Sequence, residues 1–231
     1  MSLIIRIDVD RPYGKRNLIL HSLSRVTSDY NLPRIKNKYY LNELKEILSY
    51  LNYKRISSYI FFRKITAPTS KILNLINTGN HICGLHLENS RSFEHFIAEL
   101  KYLEKIIETK IETFSKHGSG KYKYGFRHYV PYEPEKYIEW GLRAGIKLFL
   151  GNGEDPTLNS EQIEDLTYFP SAFWLEPYWR DINKFTEDWL IKESKKRDIV
   201  LLFHPDNVIY DKTLFQKLDY ILNNCKVKTL N

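Results

Sequence analysis

The chain has 231 residues, 42% of them hydrophobic and 14% aromatic, with 27% charged and a formal net charge of +7. That is enough apolar material for one larger domain, here read as a single unit over residues 1–231. No run of about 18 apolar residues is present, so no spanning helix is expected. The opening "MSLIIRIDVD" places Arg6, Asp8 and Asp10 where a secretory leader would be apolar, and only two cysteines, Cys83 and Cys225, argue against a disulfide framework. A reduced, cytoplasmic chain is the expectation. The positive charge suits an anionic partner in principle, such as nucleic acid, an anionic membrane surface or a nucleotide-linked sugar. Lys and Arg nonetheless recur along the chain in short clusters such as "KRNL" and "ESKKR", so a nucleic-acid partner is not expected.

In chain order, "LIIRIDVD" (3–10) reads as a strand that stops at Arg11-Pro12 and Gly14. Leu41, Leu44, Ile47, Leu48 and Leu51 recur at helical spacing. "ISSYIFF" (56–62) is a second strand. Thr69 or Ser70 caps a helix running to about Asn77, with Gly79 as its stop, and "HICGLHLE" is a third strand. Ser92 precedes a helix with Phe93, Phe96, Ile97, Leu100, Leu103 and Ile107 on one face. "IETFSKHG" is a short strand leading into the Gly-rich "HGSGKYKYG". Pro134 opens a helix to Ala144, which Gly145 ends. The runs "IKLFLGNG" and "YFPSAFWLEP" are strand-like, a helix covers about Asn183–Lys195, and "IVLLFHPDN" is a strand apolar on both faces. Asp211 starts the last helix.

Strands alternating with helices predict a parallel sheet, either open and doubly wound or closed as a (β/α) barrel. Both folds place chemistry at the C-terminal ends of their strands, where Asp8, Asp10, His86, His117 and His204 all fall. Side chains alternate along a strand, so Asp8 and Asp10 share a face, as a metal ligand beside a general base would. The competing reading makes one aspartate a turn cap and the other a partner of Arg11 or Arg16. In "HICGLHLENS", Ile82, Gly84 and His86 share one face, while His81, Cys83 and Leu85 share the other. His86 is therefore the better ligand, His81 a packing residue and Cys83 a small buried hydrophobe. His117 and His204 are also open to reading as a loop histidine and a core histidine.

The motifs "IIRIDVD", "GNHICGLHLENS", "FSKHGSG" and "IVLLFHPDN", in this order and spacing, resemble the polysaccharide deacetylase superfamily (NodB homology, carbohydrate esterase family 4). They are most similar to a divergent branch associated with O-antigen clusters, the WbmS-like proteins. The resemblance spans Leu3 to about Asn207. It implies an α/β fold, a distorted or incomplete (β/α)7 barrel, and a divalent metal, usually zinc, that polarises an acetyl carbonyl. It maps the family's catalytic-base and metal-binding aspartates onto Asp8 and Asp10, although Val9 between them departs from the pattern and leaves the order of roles open. His86 matches the first histidine of the second motif, but Ser90 stands where the second is usual, and a serine hydroxyl is a poor zinc ligand. The third ligand is then Glu88, Asn89, His117 or water. "KHGSG" replaces the third motif, so His117 completes the metal site or touches substrate, and Gly118 allows close approach of a sugar. His204 would be the general acid, with Asp206 two residues on as an orienting or substrate-binding group. In "FWLEPYWRD", Trp174, Tyr178 and Trp179 near Glu176, Arg180 and Asp181 suit a pyranose ring, Trp174 foremost. The implied activity is a metal-dependent deacetylase acting on an acetylated, nucleotide- or lipid-linked sugar in surface polysaccharide biosynthesis. The alternative is a degenerate relative that binds a carbohydrate or serves as a subunit.

Overall fold

The computed structural model describes residues 1–16, 18–30, 39–118, 132–177 and 184–230. In chain order its elements are β1 (Leu3–Val9), α1 (Leu18–Tyr30), α2 (Asn42–Lys54), β2 (Tyr59–Phe62), a 3-10 turn at Lys64–Thr66, α3 (Ser70–Thr78), β3 (Ile82–Leu87) and α4 (Phe93–Ile107). There follow β4 (Thr113–Lys116), α5 (Pro134–Arg143), β5 (Leu148–Gly153), β6 (Glu161–Ile163), β7 (Leu166–Ser171), β8 (Phe173–Trp174), α6 (Glu187–Ser194), β9 (Ile199–Phe203), α7 (Pro205–Tyr210) and α8 (Lys212–Asn224).

The strands form one sheet in the order β6-β7-β5-β4-β3-β2-β1-β9-β8. Every pairing is parallel except that of β6 with β7. The junction of β7 and β8 shows how the sheet curls. Ser171, the last residue of β7, pairs with Gly153 of β5, whereas Phe173, the first of β8, pairs with Leu201 of β9. Ala172 alone lies between them, so the two ends of the sheet meet. β7 and β8 act as one interrupted stave, β6 is an appendage, and the result is a distorted α/β barrel of the kind expected from the motifs.

Two packed layers follow from strand alternation. Odd residues of β1 (Leu3, Ile5, Ile7, Val9) face the helices and join a core with Leu44, Leu48, Phe96, Leu103, Phe149 and Leu218. Even positions turn into the barrel, where Ile4 packs with Phe61, Leu150, Phe169 and Leu202. The helix starts read from sequence hold where a side chain does the capping: Thr69 accepts from the Ile72 N–H and Asp211 from the Thr213 N–H. Ser92 occupies the N-cap position of α4, but its hydroxyl contacts His95 at 3.0 Å instead.

Several expectations change. α1, β6 and α7 had no counterpart in the sequence reading. α1 begins with Leu18 and Ile19 exposed rather than core-facing, and α7 follows directly from β9 with Pro205 in its first turn. The single run "YFPSAFWLEP" is two strands on opposite ends of the sheet order. The helix expected over Asn183–Lys195 spans Glu187–Ser194.

Aromatic stacking runs from strand to strand on the helix-facing side of the sheet. Phe149 is fully buried, stacked on Phe114 at 4.4 Å and on Tyr168 at 5.0 Å between centroids. Phe149→Ala should lower unfolding free energy by about 3–5 kcal/mol in urea titrations with an unchanged slope. A loss below about 1 kcal/mol would show that these stacked rings carry little of the packing.

Candidate metal centre

The even positions of β1, continued one residue past its end, place three charged residues in a row toward the barrel mouth: Arg6, Asp8 and Asp10. Arg6 is fully buried and all five of its N–H groups donate. Nε gives 2.9 Å to Asp8 Oδ1 and Nη2 gives 2.7 Å to Asp8 Oδ2. Nη2 also donates to Asn152 Oδ1 at 2.7 Å, and Nη1 to the carbonyls of Leu150 (2.9 Å) and Gly151 (2.7 Å). The side chain thus bridges β1 to β5 across the interior. A guanidinium desolvated to this degree persists because every donor and the charge are matched.

Asp10 lies just beyond β1 and is partly exposed. Its Oδ1 is 3.1 Å from His86 Nε2 and 3.0 Å from His117 Nδ1, and its Oδ2 is 3.5 Å from His204 Nε2. His86 Nδ1 contacts the Ser115 hydroxyl at 2.7 Å, which orients the ring and leaves Nε2 facing Asp10, with Asp8 Oδ2 at 3.5 Å. The His86 Nε2 to His117 Nδ1 separation is 3.1 Å. One ligand atom each from Asp10, His86 and His117 lies within 4.8 Å of the others, a set that could hold a metal ion.

Electrostatics favour a cation at that point. Burial opposes ionisation of Asp10, but His117 and His204, with hydrogen bonds from His117 and His86, outweigh it and hold the carboxyl well below its ordinary range. Burial, reinforced by the Arg63 charge, holds His117 well below the usual imidazole range, so its ring is neutral and keeps a lone pair. A carboxylate and two oriented imidazoles are the donor chemistry that zinc and similar divalent ions take.

His204 follows β9. Burial works against its charge, yet Glu176, Asp10 and Asp8 outweigh burial and lift the ring to about 10. Glu176 is fully buried, and its Oε1 takes His204 Nδ1 at 2.9 Å, the His204 backbone N–H at 3.0 Å and Asn207 Nδ2 at 2.9 Å. Glu176, rather than Asp206, is therefore the residue that orients His204. Burial raises the Asp206 carboxyl, with His204, Arg11 and Lys15 opposing.

The structure decides between other sequence alternatives. Ser90 is buried and its hydroxyl contacts Tyr137 Oη at 3.1 Å. Glu88 is taken by Arg63, whose Nη1 also holds the Asp10 carbonyl at 2.7 Å. Asn89 Oδ1 accepts the Arg91 N–H at 3.3 Å. Of the positions considered for a third ligand, His117 is the one that meets Asp10 and His86. His81 packs at the strand entrance, 2.9 Å from the Ser58 hydroxyl, and burial drops it to about 4. Burial likewise pushes the Cys83 thiol up to about 12. Trp174 stands at the mouth with its ring 6.1 Å from that of His204. Gly118 has φ +66°, which a side chain would strain, and its carbonyl lies 3.4 Å from Lys116 Nζ. The rest of the Gly-rich stretch, and Tyr178, Trp179, Arg180 and Asp181, lie outside the described residues. Sequence reasoning missed Arg6, Ser115, Asn152 and the role of Glu176. Only Glu176 carried a signal, by its place beside Trp174.

Neither a protein-family model nor a curated protein matches the chain. Solved structures do. The chitin deacetylase of Colletotrichum lindemuthianum aligns at TM-score 0.53 and 10% identity, over 98% of this chain and 84% of its own. A polysaccharide deacetylase of Bacillus cereus aligns at 0.48 and 12%, over 96% and 86%. A CE4-family pseudoenzyme of Bacillus anthracis aligns at 0.48 and 13%, covering 98% of this chain, which spans only 62% of that protein's length. At these identities the likeness is one of fold, and the fold is that of the polysaccharide deacetylases.

Removing one half of the Arg6–Asp8 pair leaves the other as a buried unpaired charge. Arg6→Met should cost about 3–5 kcal/mol of stability, and adding Asp8→Leu should recover a substantial part of it. Chemical denaturation of the single and double variants checks this. A double variant no more stable than Arg6→Met would show that the backbone contacts to β5, and not the ion pair, dominate.

Proposed function

We propose that the protein is a metal-dependent deacetylase acting on an acetylated sugar, with a nucleotide- or lipid-linked intermediate of a surface polysaccharide as the substrate class. The observation that carries this is the convergence of Asp10, His86 and His117 at one barrel mouth, flanked by Asp8 on one side and His204 on the other. Asp10, His86 and His117 would hold the cation, zinc being the best match to two imidazoles and a carboxylate. When bound, such an ion supplies Lewis acidity to an acyl carbonyl.

The remaining roles belong to the chain's own groups. Asp8 Oδ2 accepts a proton from the attacking water, and Arg6 fixes that carboxylate in one rotamer. His204, protonated at Nε2, gives its proton to the departing amine or alkoxide, while Glu176 holds Nδ1 and keeps the ring charged and aimed. Trp174 offers an aromatic face to the sugar, Gly118 lets the pyranose approach the backbone, and Asp206 takes a hydroxyl at the rim. A second reading, carbohydrate binding without turnover or service as a subunit, draws support from Ser90, whose hydroxyl is held by Tyr137 and offers no ligand.

Protein loaded with one equivalent of zinc should release acetate from N- or O-acetylated sugars in a substrate panel, and a chelator should stop it. His204→Gln should slow the reaction by about 10²–10⁴-fold with metal content unchanged. Stoichiometrically loaded protein that releases no acetate from any member of the panel would overturn the enzymatic reading in favour of the binding one.

A further inference from the structure

Four further charged side chains are buried around the strand ends, and the proposed reaction uses none of them. Arg63 follows β2, Glu88 follows β3, Glu99 lies on α4 and Lys116 ends β4. Their exposure runs from 0% at Lys116 to 9% at Glu99. Two positive and two negative groups leave the set balanced. Arg63 is paired with Glu88, and both act on Glu99. Burial lowers Lys116 to about 8 against the pull of Glu99 and Glu88.

Each segment that carries a candidate ligand is gripped through its backbone by one of these groups. Asp10 lies one residue beyond β1, where the ladder no longer fixes the chain. Arg63 Nη1 donates to the Asp10 carbonyl at 2.7 Å while Nη2 donates to the Glu88 carboxylate. Thr66, three residues on, donates its hydroxyl to the Val9 carbonyl at 2.7 Å. Just past β3, two residues after His86, Glu99 accepts the Glu88 N–H at 2.9 Å on one oxygen. Its other oxygen accepts the Asn89 N–H at 3.1 Å. Lys116 Nζ donates to the carbonyl of His117 itself and lies 3.4 Å from that of Gly118.

A buried charge cluster is often no better for stability than hydrocarbon of the same volume, because desolvation offsets the attraction. What hydrocarbon cannot do is hold particular backbone groups in place. Charged donors and acceptors do so with the stronger class of hydrogen bond. We propose that Arg63, Glu99 and Lys116 are positioning residues of the candidate metal centre: through the backbone at residues 10, 88–89 and 117 they set the spacing of Asp10, His86 and His117 to that of one divalent cation. The inference rests on the metal reading of that centre and gives none of the three a ligand or proton-transfer role. Arg63 is the pivot, because its fork serves two segments at once, the Asp10 carbonyl and the Glu88 carboxylate. A lysine ammonium carries the same charge without that planar, two-armed geometry, so Arg63→Lys separates positioning from charge.

The test is the zinc affinity of the full chain, measured by competition with a chromophoric chelator, together with the visible spectrum of the cobalt-substituted protein. Arg63→Lys should weaken zinc binding about 10–100-fold and change the position or intensity of the cobalt bands. Glu99→Gln keeps the side-chain shape but offers one accepting oxygen in place of two, and should act in the same direction. Circular dichroism verifies the fold of each variant and urea titration gives its stability. Should Arg63→Lys fail to fold, Glu99→Gln decides the matter. Variants that lose stability yet bind zinc within about 2-fold of wild type, with an unchanged cobalt spectrum, would overturn the proposal, since loss of a partner that orients ligands costs more than that. Wild-type protein that binds no zinc would remove the centre and the positioning role with it, a failure visible before any variant is made.

Discussion

A guanidinium buried in the middle of a barrel organises everything above it. Arg6 can occupy the interior only because five acceptors surround it, two from Asp8 and three from β5 and Asn152. Desolvating such a group without that set would cost several kcal/mol. The set has consequences for the mouth. It fixes both oxygens of Asp8, draws β5 against β1, and orients Asn152, whose Nδ2 donates to the Lys116 carbonyl one residue before His117. The geometry around Asp10 is thus supported from below by interactions that take no part in any reaction.

Strand alternation converts that interior anchor into a site. Residues 6, 8 and 10 share a face, so a structural cation, a paired carboxylate and a freer carboxylate appear in sequence from the interior to the mouth. The neighbouring strands are in phase with them: His86 pairs with Ser115 in the β3–β4 register, and β9 ends at Phe203, directly before His204. Asp10 ends up ringed by three imidazoles, and two of them, His117 and His204, sit in opposite electrostatic surroundings. Burial, with Arg63 adding to it, holds His117 neutral, while His204 stays charged against its own burial because Glu176 lies against its far nitrogen. A neutral ring and a charged ring beside one carboxylate is a difference that two identical environments could not give.

Much of this was legible in the sequence, for physical reasons. Core-facing Val, Ile and Leu at period two and helical stripes at period 3.6 marked most elements, and the phase of "HICGLHLE" separated His86 from His81 correctly. The strand–helix alternation left an open sheet and a barrel equally possible, and the barrel came from the family that the strand-end motifs resemble. What escaped depends on contacts distant along the chain. Arg6 looked like an ordinary polar residue in a short strand, because its partners on β5 lie some 144 residues away. Asp206 seemed the natural partner of His204 by proximity in sequence, but the closing of the barrel at the β7–β8 break brings Glu176 there instead. α1 escaped because Leu18, Ile19 and Leu23 are exposed, so its first turns do not show the stripe by which core-packing helices are recognised.

The central claim is that β1, β3 and β4 deliver Asp10, His86 and His117 to a single cation. Anomalous scattering at the zinc absorption edge from a zinc-soaked crystal addresses it directly. The account predicts a strong peak about 2.0–2.2 Å from a carboxylate oxygen of Asp10 and from one ring nitrogen each of His86 and His117. An absence of any peak between these three side chains, or zinc held elsewhere in the barrel, would contradict it.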